Sequence, residues 1–403
     1  MKVLIADTFE SAGVDQLSAA GCEVVCRPDL KDAALGQAIR DLGVEVLVVR
    51  GTPVTAAMLD ASALSLIVRA GAGYNTIDVA AASSRGIYVS NCPGRNAVAV
   101  AELAFGLMLA LDRRIPDNVR DLKAGIWNKQ EYSKAAGLFG RTLGLLGYGH
   151  IGQAMAQRAH AFGMPVVVWS RRFADGGSAN DLVAPVQIAR SPQEVAERCD
   201  VLSVHLALTP ETRNLVDASV LQRLRPGASF INTARAEIVD AEALATAVRE
   251  RQIRAGLDVF ASEPSGAAGV FSDPIASLPL VYGTHHIGAS TEQAQQAIAE
   301  EAVRVVVSYK KTGQVPNVVN LAKKTPATHV LVVRHRDRPG VLANVFDRLR
   351  DARINVQETE NVIFQDAQAA VARINLDSAP SESLLAMIRN ADDHIIDLRL
   401  IRI

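Results

Sequence analysis

The sequence predicts an α/β protein with two parallel-sheet domains and a small C-terminal α+β domain, and three observations predict it. Short apolar runs alternate with helical patterns from Lys2 to Pro93 and again from Leu143 to Gly283, and repeated strand-helix units imply parallel sheets covered on both faces. The run Gly147-Tyr148-Gly149-His150-Ile151-Gly152 closes one apolar run, opens an Ala-rich helix and precedes a second run, the context a dinucleotide turn requires. From Val330 the pattern changes to the order βαββαβ. The expected architecture is therefore two Rossmann/flavodoxin-like doubly wound domains and a ferredoxin-like unit.

In the first domain, Val3–Ala6, Val24–Cys26, Val46–Val49, Leu66–Val68 and Ile87–Ser90 read as strands, with helices near Ser11–Ala20, Ala33–Leu42, Thr55–Asp60 and Ile77–Arg85. Asn96–Asp112 is a strongly apolar helix that should break near Pro116. The second domain reads as strands Leu143–Leu146, Val166–Trp169, Asp200–Ala207, Ala228–Asn232, Arg254–Val259 and Leu280–Gly283, with the helix Gln153–Phe162 after the glycine turn. A long helix, Thr291–Lys311, should return to the first unit, and Thr312–Pro326 reads as a linker. The last domain follows as strand Val330–Arg334, helix Pro339–Asp351, strands Asn355–Ile363 and Ala369–Leu376, helix Glu382–Ile388 and strand Ile395–Ile401. The expected limits are 1–95 with 289–315 for substrate binding, 96–288 for the dinucleotide, 316–327 as linker and 328–403 for the last domain. A domain interrupted by another leaves a cleft between them, a usual place for a ligand.

Lys and Arg number 42 against 43 acidic residues, so no global field favours nucleic acid or an anionic membrane, and a local site must carry the function. Four scattered cysteines, Cys22, Cys26, Cys92 and Cys199, are too few for a disulfide framework, and apolar packing is expected of Cys22 and Cys26. The start MKVLIADTFE lacks the apolar region of a signal peptide, and a cytoplasmic setting is expected. The histidines have no metal-ligand spacing, and no metal is expected.

In the glycine turn, Gly147 permits the bend, Gly149 lets the backbone approach a pyrophosphate and Gly152 allows close helix-strand packing. His150 and Ile151 join this cofactor set through their main chain at the helix N-terminus. About 20 residues further on, an NAD site places an acidic residue for the ribose 2′-hydroxyl. This chain has Ser170-Arg171-Arg172, which cannot repel a 2′-phosphate and can grip it through charge-assisted hydrogen bonds. NADP use is therefore expected alongside NAD.

Three segments lie at predicted strand ends of the second domain: Ile231 to Arg235, Gly256 to Pro264 and Thr284 to Thr291. Arg235 can hold a substrate carboxylate bidentately. His286 can take a hydroxyl proton, a contribution of about 10²–10⁴-fold, and Glu263 would orient it.

With these segments, the block AGAGYNTIDVAAASSRGIYVSNCPGRNAVAVAEL from Ala70 and the motifs INTAR, LDVFASEP and HHIGAST, the chain resembles the NAD(P)-dependent D-2-hydroxyacid dehydrogenases. The resemblance implies Arg235, Glu263 and His286 as catalytic residues, Asp258 at the nicotinamide, and Thr233 and Ala234 at the cofactor. It places Arg50 and the backbone of Ala72 and Gly73 at the substrate, with Lys129 reaching a neighbouring subunit's substrate. The segment HRDRPGVLANVFDRLRDARIN is similar to an ACT domain, a regulatory module that often binds amino acids. His335 and Asn355 match its ligand positions, whereas Asp337 replaces an Asn. His285 replaces a common Pro, so two adjacent histidines compete, and His286 is preferred because it directly precedes Ile-Gly-Ala-Ser-Thr.

The expected activity is oxidation of 3-phosphoglycerate at C2, with glyoxylate or hydroxypyruvate reduction as the close alternative and a nucleotide-sensing binding protein as one of another class. The expected partners are a small 2-hydroxy acid, an amino-acid effector at the last domain and further copies of the chain, as a dimer or tetramer. Neither nucleic acid nor membrane is expected.

Overall fold

The computed structural model describes residues 1–174, 183–264, 268–322 and 324–403. Two compact units emerge, Met1–Asn320 and Leu321–Ile403. The first unit contains two wholly parallel sheets. Strands β1 (Lys2–Ile5), β2 (Glu23–Cys26), β3 (Val46–Val49), β4 (Leu66–Arg69) and β5 (Tyr88–Asn91) lie in the order β2-β1-β3-β4-β5. β3 is buried throughout, which its unbroken VLVV run demands of a strand covered on both faces. Cys26 is exposed, contrary to the expected packing role, because β2 is the sheet's edge and ends there.

The second sheet holds β6 (Leu143–Leu146), β7 (Val166–Trp169), β8 (Gln187–Ile188), β9 (Val201–Val204), β10 (Ser229–Asn232), β11 (Arg254–Leu257) and β12 (Val281–Gly283), in the order β12-β11-β10-β9-β6-β7-β8. The direction of winding reverses at β6, so the glycine turn leaves the sheet at its switch point, where open α/β sheets take ligands. Helix Ala97–Arg113 buries Ala101, Ala104, Leu107, Met108 and Leu111 against Leu143, Leu145 and Ile231. A fully buried Leu of this kind contributes about 2 kcal/mol, so this face fastens the helix to the sheet. The break expected near Pro116 falls at Arg114, whose φ is 51°, and Pro116 instead sits in the first turn of a new helix, Ile115–Lys123, where its missing N–H costs nothing.

The chain passes between the two sheets around Asn91–Asn96 and returns through helix Glu292–Thr312, which packs Ile298, Ala302, Val305 and Val306 against Val3, Ile5, Val46 and Val68. A buried carboxylate ties these passages together. Glu301 accepts from Arg304 at 2.6 Å, Arg95 at 2.6 Å and Asn317 at 2.6 Å. The Arg304 pairing foremost, then Arg95 and Asn317 against the opposing effect of burial, holds its carboxyl down at about 2.

The expected linker 316–327 is docked at its start. Val318 bridges Ser90, the Val319 N–H donates to Val89 O, and Asn320 bonds Val89 and Ile87, because β5 would otherwise present unpaired edge groups. Lys323 of that stretch lies outside the described residues.

The second unit is an antiparallel sheet of β13 (His329–Arg336), β14 (Val356–Ile363), β15 (Ala369–Leu376) and β16 (Ile395–Arg402), in the order β14-β15-β13-β16. Helices Val341–Asp351 and Glu382–Asn390 bury Val345, Leu349, Leu384 and Ile388 over Leu331, Val333 and Ile374. The first of them begins at Val341 and excludes Pro339, because Gly340 has a φ of 94° and cannot be a helical residue. Among the described residues no helix is long and apolar enough to cross a membrane.

Candidate active site

The glycine turn is built as its spacing requires. Gly147 has a φ of 103°, and a Cβ there would lie 2.3 Å from the carbonyl oxygen of His205. A Cβ at Gly152 would lie 2.3 Å from Gly147 O, whereas Gly149 faces open space. The helix expected from Gln153 begins at His150 and runs to Ala161, so His150, Ile151 and Gly152 form its first turn and Gly149 caps it. Their N–H groups and the open side of Gly149 leave a place for an anion. The His150 imidazole rests against Gly94, where a Cβ would come within 2.9 Å of it.

Beyond β7, Ser170 accepts the Phe173 N–H, and both arginines that follow are exposed. Arg171 lies 3.8 Å from Glu211, and the Arg172 guanidinium is 5.8 Å from the centre of the Phe173 ring. At the end of β10, Asn232 staples the INTAR turn, accepting from Ala234 N and donating to Arg235 O, both at 3.0 Å. Thr233 is buried with its hydroxyl unpartnered, an orphaned polar group in a segment expected to meet the cofactor. The close-packed glycines, the open Gly149 and this hydroxyl fit a dinucleotide.

The three predicted polar residues come together. His286 Nδ1 lies 2.7 Å from Glu263 Oε2, and Glu263 Oε1 accepts the Phe260 N–H at 2.8 Å. Of the two adjacent histidines, His286 is therefore the one that meets the carboxylate. Burial pushes the Glu263 carboxyl up, but His286, the Phe260 N–H and Arg235 outweigh it and hold it below the usual range. An ionised carboxylate only accepts, so the Nδ1 proton resides on His286 and Nε2 is left as an acceptor.

His286 carries a φ of 52°, uncommon for a residue with a side chain. Asp258 holds the loop in that shape: Oδ1 accepts from Thr284 Oγ1 at 2.6 Å and Ile287 N at 2.8 Å, and Oδ2 from Gly288 N at 2.9 Å. Asp258 is buried, and three of its roughly four acceptor positions are thus used by the protein.

Arg235 donates to Ala234 O at 2.6 Å and Asn75 Oδ1 at 3.3 Å. It lies so close to Gly73 that a Cβ there would be 2.1 Å from Nη2, which gives that glycine a steric reason. The carbonyl of Ala72 is held by Asn91 Nδ2 at 2.6 Å. Arg50 follows β3, and burial lowers its pKa. Lys129 starts a short helix, Lys129–Tyr132, in a groove with Trp127, Leu122 and Tyr132, and is not drawn into the arginine group.

Sequence reading missed Arg69. It ends β4, its Nε is buried without a partner, and its guanidinium folds over Gly71, where a Cβ would lie 1.6 Å from Nη1. Burial first, and then the like charges of Arg235 and Arg50, push it down to about 10. The available signal was a charged residue at the carboxyl end of a buried parallel strand. Three guanidinium groups thus share one region, and their like charges add to burial in depressing Arg69. His205, also missed, is buried beneath the glycine turn, bonds Ser203 at 2.8 Å and is pushed down to about 3 by burial.

The family model described as D-isomer specific 2-hydroxyacid dehydrogenase, NAD binding domain, matches residues 105–288. The D-3-phosphoglycerate dehydrogenase of Haemophilus influenzae is 31% identical over 403 residues, covering 98% of this chain and 96% of its own. The hydroxypyruvate reductase of Thermotoga maritima is 40% identical over 273 residues, 67% of this chain and 85% of its own. Among solved structures, the NADPH-dependent glyoxylate/hydroxypyruvate reductase of Sinorhizobium meliloti, in complex with NADP and malonate, superposes with a TM-score of 0.67 at 30% identity, covering 79% of this chain and 96% of that one.

Proposed function

Because this chain belongs to the NAD-binding D-isomer specific 2-hydroxyacid dehydrogenases, we propose that it oxidises 3-phospho-D-glycerate at C2 to 3-phosphohydroxypyruvate. The observation that carries the choice of substrate is the trio of Arg50, Arg69 and Arg235, whose crowded positive charge suits a ligand bearing both a carboxylate and a phosphate. Arg235 holds the carboxylate or the C2 oxygen, while Arg50 and Arg69 take the phosphate. The backbone of Ala72 and Gly73 flanks the carboxylate.

His286 Nε2 removes the proton of the C2 hydroxyl. Its Nδ1–H stays on the ring and donates to Glu263, whose charge stabilises the imidazolium that forms. A bound nicotinamide supplies the acceptor for the C2 hydrogen. Asp258 and Thr284 keep the His286 loop in its strained conformation, so the base is placed before substrate arrives. Gly147, Gly149, His150, Ile151, Gly152, Thr233 and Ala234 hold the cofactor, with Ser170, Arg171 and Arg172 at the adenosine ribose. Residues 1–95 with 289–315 form the substrate domain and 96–288 the dinucleotide domain. Assaying 3-phosphoglycerate oxidation against glyoxylate and hydroxypyruvate reduction tests the reading, which fails if only the reductions run. That reductase reading has its own support in the arginines after β7 and in the two reductase relatives.

We further propose a homo-oligomer. Helix Ile115–Lys123 is inside out: Asp117 is buried with Tyr282 at 2.7 Å and Arg114 at 3.0 Å, while Ile115, Val119 and Leu122 form an exposed stripe continued by Ile126 and Trp127. Such a stripe needs a cover, and a second copy of the chain supplies one. The C-terminal unit is proposed as an ACT domain. Its edge strand β14 ends in exposed Val362 and Ile363, followed by exposed Phe364, a further surface for self-pairing. As an amino-acid site it is poor for serine, because the carboxylate of Asp337 repels that of the ligand; potent inhibition of the enzyme on titrating serine would refute this.

A further inference from the structure

Asp7 stands two residues beyond the end of β1, beside the exit of β3, and its side chain is only 16% exposed. Its Oδ2 accepts the backbone N–H groups of three successive residues, Arg50 at 2.6 Å, Gly51 at 3.0 Å and Thr52 at 3.0 Å. Its Oδ1 accepts Thr52 Oγ1 at 2.9 Å and Lys31 Nζ at 3.2 Å, and Lys31 also donates to the Thr52 hydroxyl. Consecutive N–H groups converging on one point form the concavity that elsewhere binds an anion. Here the anion is the protein's own carboxylate, and the turn after β3 is wound around it.

This arrangement has two effects on Arg50. Its main chain is fixed, so the direction in which its side chain leaves the sheet is set before any ligand arrives. The carboxylate is also fully engaged, five donors facing about four acceptor positions, so Arg50 is not drawn into an ion pair with it. The Arg50 guanidinium donates no hydrogen bond to a described residue and stays available to a ligand. Burial pushes the Asp7 carboxyl up, but the N–H groups of Arg50 and Thr52, the Thr52 hydroxyl and Lys31 prevail and keep it below the ordinary carboxylate value, hence ionised at neutral pH.

We propose that Asp7 is a positioning residue for the substrate, templating the turn after β3 so that Arg50 is presented, already ordered, to the substrate's anionic end. The inference rests on the reading that Arg50 contacts that end. Ordering a long side chain in advance lowers the entropy lost on binding, so the benefit belongs to KM more than to kcat.

A double-mutant cycle tests it, using Asp7→Ala, Arg50→Ala and their combination in the full chain, read on 3-phosphoglycerate, or on hydroxypyruvate if that substrate alone turns over. Asp7→Ala should raise KM about 10-fold, with a smaller fall in kcat, and add less than about 2-fold in the Arg50→Ala background. Asp7→Asn, which keeps an acceptor for the N–H groups, should recover much of the loss and guards against a folding defect in the Ala variant. Full multiplication of the two single effects, or an unchanged KM in Asp7→Ala, overturns the proposal. Turnover of hydroxypyruvate alone, with the coupling intact, would instead remove the phosphoglycerate reading and leave this one standing.

Discussion

His286 Nδ1 and Glu263 Oε2 stand 2.7 Å apart, and the other oxygen of Glu263 is fixed by the Phe260 N–H, so the carboxylate is aimed from both ends. Replacing it with an amide keeps the shape and removes the charge. Glu263→Gln should lower kcat about 10- to 100-fold, and His286→Asn roughly 10²- to 10⁴-fold. Adding Glu263→Gln to His286→Asn should change little further, since the two act as a unit. Steady-state kinetics of the three variants provide the check.

Much of this site was legible because buried parallel strands announce themselves and chemistry gathers at their carboxyl ends. Arg235, Glu263 and His286 were found that way. Arg69 and Asp7 occupy equivalent strand ends but were missed, because their importance lies in what they face: other guanidiniums for Arg69, three main-chain N–H groups for Asp7. Spacing does not encode such long-range encounters. Helix starts were misread at His150 and Val341 for a local reason, the backbone angles of Gly149 and Gly340. The docking of 317–320 on β5 was invisible, since a polar, proline-containing stretch looks the same whether or not a sheet edge receives it.

Cofactor choice should follow the residues after β7. Ser170→Asp places a carboxylate where a 2′-phosphate would sit, beside Arg171 and Arg172. The wild type should use NADP at least as well as NAD. The substitution should shift the ratio of efficiencies toward NAD by about 10-fold or more, given the cost of an opposed charge. Comparing kcat/KM for both cofactors measures it, and a strong NAD preference that Ser170→Asp leaves unchanged would count against the arginines.

The exposed stripe on helix Ile115–Lys123 predicts its own cover. Leu122→Asp places a charge at a position 57% exposed in the single chain, where a monomer should tolerate it within about 0.5 kcal/mol. If copies pair through the stripe, sedimentation should show dissociation to a smaller species. An unchanged oligomer would put the contact elsewhere.

Glu301 gives a pH signature. Its folded carboxyl titrates near 2 while the unfolded one titrates near 4.5, so the unfolded chain binds the extra proton between those values. Stability from this group is complete above about 4.5 and is lost as pH falls toward 2. The difference is worth roughly 3 kcal/mol at most. Glu301→Gln should lower stability at pH 7 and flatten its decline across that window, measured by urea unfolding at a series of pH values. A mutant curve parallel to the wild type throughout would show that Glu301 does not supply the dependence.

Crowded guanidinium charge at the carboxyl ends of β3 and β4 is proposed to select a phosphorylated substrate. The most direct measurement is kcat/KM for 3-phosphohydroxypyruvate and for hydroxypyruvate, in the reductive direction, in the wild type and in Arg50→Ala. The wild type should favour the phosphorylated acid, and Arg50→Ala should erode that preference about 10- to 100-fold while changing hydroxypyruvate much less. Equal losses on both substrates, or a wild type indifferent to the phosphate, would contradict it.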